Sequence, residues 1–282
     1  MMPSAIIASL AAGALTASAP IAPRAMLDAT ETQKALSRPG PAAKPVTQAD
    51  VDAAIAAVPK AKAVLKAGRH RDAIAILQPH VATYRAIVKG AHRDLRAEQL
   101  HAQAMSILFA ASYAMEAAGT EPGADPLAYL NEARRSLKKL VDGEATAPVC
   151  AEYLRQSTTA AAIVAKRAKT PASEFAATLS LKERMRSDLF PYLTSASATA
   201  LRCAKRHPAV PAVLRPAFAI LTQLFMLNRD VETGTSVIEV GEMLSATGKI
   251  EASEKTRLDR VRQVLKHDRD QAPFPDWTEG AD

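Results

Sequence analysis

Ala67-Gly68-Arg69-His70-Arg71-Asp72-Ala73-Ile74-Ala75-Ile76-Leu77 sets a glycine between two alanine-rich helical patterns, with the small residue Ala73 five positions after it. Glycine tolerates the left-handed backbone of a tight turn, and a small residue lets the second helix lie close against the first. The stretch therefore predicts a helical hairpin. Upstream, Thr47 with Asp50 supplies a start signal, and Val51, Ile55, Val58 and Leu65 carry the pattern to Ala67, with Pro59 expected to kink or restart it. Downstream, Ile74, Leu77 and Val81 continue the second helix towards Val88, and Gly90 punctuates.

The same punctuation recurs along the chain. A helix over about 94 to 118 carries Leu95, Ala102, Met105, Leu108, Phe109, Ser112, Tyr113 and Met115 at the three and four spacing of a buried stripe. Asp125 reads as an N-cap and Pro126 as a first helical residue, with Leu127, Leu130, Leu137, Leu140 and Val141 as the apolar face and Asp142-Gly143 as the stop. Helices are expected at about 147 to 169 and 171 to 189, the latter opened by Thr170-Pro171. Pro191, Pro208, Pro211 and Pro216 then divide the chain into helices at about 192 to 206 and 212 to 228. A last pair, about 230 to 246 and 251 to 267, is separated by Gly248.

These pair into roughly four hairpins of 35 to 50 residues, the period of helical-repeat arrays. Composition agrees: of 282 residues 48% are hydrophobic, only 4% are aromatic and 11 are glycine, and alternations of the strand type are missing. The fold class expected is all-α, with stacked antiparallel helical hairpins over 47–268, as an α-solenoid or a compact helical array.

The first hairpin resembles the second half of a tetratricopeptide repeat. Gly68 stands at the turn, Ala73 and Ile74 open the second helix, Leu77 follows three residues on, and Ala61 stands where the first helix commonly has glycine or alanine. Val64 replaces a common tyrosine, His70 the usual aromatic after the glycine, His80 a small residue, and Arg85 the helix-ending proline. The likeness covers about 30 residues. It implies a curved stack of hairpins whose concave face binds a peptide or partner protein.

Both ends differ from the middle. Residues 5 to 19 form an uncharged apolar run ending in small residues, which looks like the core and cleavage region of a secretory signal, although no Lys or Arg precedes it and Pro20 and Pro23 spoil the obvious cuts. The expectation is a signal peptide at 1–19 and a periplasmic or secreted protein, with a cytoplasmic chain carrying a leader as the alternative. The run is too short and alanine-rich for a membrane span. Residues 20–46, with Arg38-Pro39-Gly40-Pro41, read as a linker without a fold of its own, and 269–282 as an acidic tail bearing Asp270, Asp276, Glu279, Asp282 and the only tryptophan, Trp277.

The net charge is +7, and residues 134 to 215 hold 15 Lys/Arg against six Asp/Glu. Arg134, Arg135, Lys138, Lys139, Lys166, Arg167, Lys169, Arg202, Lys205 and Arg206 are therefore the candidates for binding a polyanion, nucleic acid or an anionic surface. A solvated helix surface is the plainer account. Cys150 and Cys203 lack metal-ligand spacing; they could pair in an oxidising compartment or remain two separate buried thiols. Cys150 follows Ala147-Pro148-Val149 at a helix start, where a thiol pKa falls, but no His base is identifiable.

Glu98-x-x-His101, with Asp94 one turn earlier, has the spacing of a carboxylate-bridged metal site, but the required second Glu-x-x-His is missing, so these residues read as a polar surface face. The chain has no Gly-x-Ser-x-Gly, phosphate loop, dinucleotide fingerprint or His-Glu-x-x-His. The function expected is a non-catalytic protein-protein interaction module that holds a partner protein or peptide in a helical groove, without a cofactor or metal. The alternative is a polyanion binder acting through 134 to 215, and an enzyme on a helical scaffold comes third.

Overall fold

The computed structural model describes residues 46–89, 94–169 and 179–269. The signal-peptide and linker readings up to residue 45, the helix start at Thr170-Pro171 and the tail from Asp270 lie outside the described residues. Within them every regular element is helical, so the protein is all-α. The helices are α1 (Gln48–Lys66), α2 (His70–Leu77), α3 (Val81–Ile87), α4 (Leu95–Ala117), α5 (Pro126–Gly143), α6 (Ala147–Lys169), α7 (Leu181–Arg206), α8 (Pro211–Asn228), α9 (Val231–Ala246) and α10 (Ala252–Arg269).

Local chemistry sets most boundaries. Thr47 and Asp50 form a reciprocal capping box at the start of α1, and the Asp125 carboxylate accepts the Leu127 N–H at 3.0 Å at the start of α5. Gly68 takes φ +74° in the α1–α2 turn, which L side chains resist. Two proline effects differ from expectation. Pro216 lies inside its helix as expected and Pro59 does not interrupt α1, but Pro191 also lies inside a helix, so the separate helices expected either side of it are one element, α7. Pro191 forfeits a single backbone bond, and Leu189, Leu193 and Ala196, buried in one core on both sides of it, hold the helix through. Pro79, by contrast, coincides with a 3₁₀ turn over Gln78–His80, which splits the expected second helix into α2 and α3.

Most helices pack mainly against their neighbours in the chain; α2 also meets α4, α1 meets α3 and α4, α6 meets α8, and α7 meets α9. Buried apolar side chains fall into two clusters. One joins α1 to α5 through Ala61, Ala73, Leu77, Tyr84 and Leu108, and here the Tyr84 hydroxyl donates to the Ala54 carbonyl at 2.7 Å. Burial pushes the Tyr84 pKa up to about 12. The other runs from α4 to α10 through Leu154, Leu193, Phe218 and Val261. Helices α4 and α5 supply both clusters, which is why α4 is buried over most of its circumference.

Cys150 in the first turn of α6 and Cys203 in the last turn of α7 are joined by a disulfide (Sγ–Sγ 2.15 Å, Cα–Cα 5.8 Å) that ties the two antiparallel helices at the end opposite their connection. Gly234 and Gly241, one heptad apart on α9, mark a close approach: a Cβ on Gly241 would sit 2.6 Å from Leu258 Cδ1 and 3.0 Å from Phe218 Cε2.

Candidate functional site

Helix α8 ends on Arg229, whose left-handed backbone (φ 53°) lets its N–H reach the Phe225 carbonyl at 2.7 Å. The next residue, Asp230, caps α9 by accepting the Thr233 N–H at 2.7 Å. Burial opposes the charge on Asp230, but hydrogen bonds from Thr233 and Asn228 outweigh it and hold the carboxyl below its ordinary range. This anchored turn fixes Arg229 at the edge of a cavity of about 390 Å³ walled by α6, α7, α8 and α10.

The walls are apolar, with Met185, Leu189, Phe225 and Val264 among them, and Arg229, Arg257 and Arg260 also line the space. Arg257, Arg260, Val261 and Val264 recur at three and four, one stripe of α10. Thr222, on the α8 wall, buries its hydroxyl without a hydrogen-bond partner. Met226, also lining the cavity, is 50% exposed. Leu181, one turn before Met185, and Val231, two residues after Arg229, are exposed apolar side chains as well. Concavity, apolar walls and a few converging polar groups are what a binding site requires. The cavity draws on residues 165 to 264, so periodicity within any single helix gives no signal of it.

Five of the ten basic residues are ion-paired within the chain. Lys138 and Arg202 share Asp142, Lys139 donates to Glu98, Arg167 binds Asp125 at 2.7 Å, and Lys205 binds Glu239 at 3.1 Å. Lys166, Lys169, Arg206 and Arg135 are exposed. Arg134 departs most from expectation: only 8% exposed, it belongs to the interior rather than to a solvated face. The signal was in the sequence, since Arg134 falls on the stripe of Leu127, Leu130, Leu137 and Val141.

Glu98 and His101 are likewise buried, not a polar surface face, because they extend the α4 stripe of Met105, Leu108 and Ser112. His101 Nδ1 lies 2.9 Å from Ser136 Oγ, and its Nε2 lies 3.5 Å from Glu132, which accepts two hydrogen bonds from Arg85. Ser, His and Glu in a row have the order of a nucleophile, its base and the group that orients the base. Ser136 is 2% exposed, however, so this network clamps α3, α4 and α5 rather than meeting a substrate. Asp94 is the N-cap of α4 and accepts the Arg96 N–H at 2.8 Å. Among the described residues no group of three or more His, Cys, Asp or Glu side chains is placed to hold a metal ion. Nor is any described helix long and apolar enough to cross a membrane.

No family model matches the chain, and no curated protein matches it. A solved structure named "DHF58 filament" is 19% identical, with a TM-score of 0.36, over 80% of this chain and 96% of that one. A likeness this low carries no argument about fold or function.

Proposed function

We propose that the protein is a non-catalytic interaction module that holds an acidic segment of a partner protein, seating apolar side chains of that segment in the cavity between α6, α7, α8 and α10. The observation that carries this reading is an apolar cavity lined by Arg229, Arg257 and Arg260 and adjoined by exposed Met226, Leu181 and Val231. Apolar walls supply affinity, and the arginines select acidic flanks and fix their register. Packing of helices mostly against chain neighbours supports a helical-repeat-like array of the tetratricopeptide kind. The Cys150–Cys203 bond favours a protein that works outside the reducing cytosol, periplasmic or secreted. Internal ion pairs at Lys138, Lys139, Arg167, Arg202 and Lys205 weigh against an extended polyanion track.

Selection from a displayed random-peptide library tests the reading. Peptides combining bulky apolar residues with Asp or Glu are expected, and Met226→Glu or Arg257→Glu should weaken a selected peptide about tenfold or more. Absence of an acidic-apolar consensus, or peptide binding indifferent to both substitutions, sinks it.

A further inference from the structure

Arg134 presents a second problem, unconnected with the cavity above. The residue is only 8% exposed, and its partners are neutral: Nε donates to Ser157 Oγ at 3.2 Å, Nη1 to Asn131 Oδ1 at 3.3 Å, Tyr153 lies beside it, and the guanidinium is 5.4 Å from the Tyr192 ring centre. No carboxylate lies within ion-pair distance of it among the described residues. Burial presses its pKa down, but arginine stays charged in proteins. A buried charge without a counter-charge is costly, and cation–π contact offsets only part of that cost.

Arg134 also lines an open cavity of about 370 Å³ between α5, α6 and α7, together with Arg135, Lys138, Tyr153 and Tyr192. No Asp or Glu lines this space. Arg135 donates to the Asn131 carbonyl at 3.4 Å, and Lys138 shares its charge with Asp142. Arg134, with no carboxylate partner, Arg135, whose charge also acts on Glu132, and the partly neutralised Lys138 ammonium thus line one hollow.

We propose that this hollow binds a small soluble phosphate monoester, with Arg134 and Arg135 taking the phosphoryl oxygens. The planar arginine fork fits phosphate and carboxylate alike, and the charge decides between them: Arg134 without a carboxylate partner, with Arg135 and Lys138 lining the same hollow, favours a dianion. The cations Lys139, Arg167 and Lys205 each pair with a carboxylate, and Arg202 shares Asp142 with Lys138, which weighs against a continuous track from the hollow along a polymer.

Calorimetric titration of the full chain with inorganic phosphate and with glycerol 3-phosphate, at constant ionic strength set by chloride, provides the test. Dissociation constants of about 1 mM or tighter are expected. Arg135→Gln, an exposed position that leaves the core intact, should weaken binding about tenfold, as loss of a charge-assisted pair does. Arg134→Met should abolish the response while leaving the free protein at least as stable, because an apolar replacement of similar length removes a desolvated charge. The proposal fails if neither phosphate binds above the chloride control, if Arg135→Gln binds as tightly as the parent chain, or if a single-stranded oligonucleotide binds more tightly per phosphate.

Discussion

His101 lies near Glu98 and Glu132, both of which favour its protonated form, yet burial outweighs them and holds its pKa below the ordinary 6.5. Arg85, also near, opposes protonation. In the unfolded chain the same imidazole takes up a proton near pH 6.5. As the pH falls below that value the unfolded state binds a proton the native state does not, so stability drops until the native pKa is reached. Urea unfolding at pH 7.5 and pH 5.5 should show a larger loss for the parent chain than for His101→Gln, which keeps polar atoms for Ser136. Equal losses in the two proteins would mean that His101 is not the titrating group. The neighbours Arg134 and Arg135 teach a related lesson: identical side chains one residue apart on α5 differ in burial, Arg134 buried and Arg135 exposed, although both line the same hollow. Local charge density reads them as a pair, whereas helical period separates them.

Helix α9 illustrates what an element's sequence says and omits. Its start at Asp230 and its stop before Gly248 (φ +66°) follow from capping chemistry. The role of Gly234 and Gly241 depends on Phe218, Phe225, Leu258 and Leu265 on two other helices, which no reading of α9 alone supplies. Gly241→Ala gains about 1 kcal/mol of helix propensity. The added methyl must displace the buried Leu258 and Phe218 side chains, a cost of roughly 1–3 kcal/mol. A net loss of about 1 kcal/mol is expected, measured as a lower chemical-denaturation midpoint; a gain in stability would show that the α8–α9–α10 contact is loose. Capping motifs were the most legible features. Thr47 with Asp50 and Asp125 with Pro126 mark their helices correctly, and Ser180-x-x-Glu183 is a capping box that places the start of α7, unnoticed beside the prolines. Prolines misled because tertiary burial at Leu189 and Leu193 overrides a local break at Pro191.

At the scale of the molecule, the all-α class was readable from period and punctuation, while the two cavities were not, since each gathers side chains from three or four separate helices. The pairing of Cys150 with Cys203 was one of two open readings until the antiparallel packing of α6 on α7 brought the two first and last turns together. The bond closes a loop with a sequence separation of 53. Chain-entropy arguments give such a loop about 4 kcal/mol of stabilisation. Replacing both cysteines with alanine should therefore lower the unfolding free energy by about that amount, read from urea titrations of the two proteins; a difference near zero would show that packing alone holds α6 to α7. The same bond divides the polypeptide mechanically. If the chain were drawn out by its ends, the segment between the two sulfurs would be shunted out of the load path. About 180 Å of contour, at roughly 3.4 Å for each residue withheld, would stay slack until the bond was reduced, leaving a knot-like island inside an otherwise extensible strand.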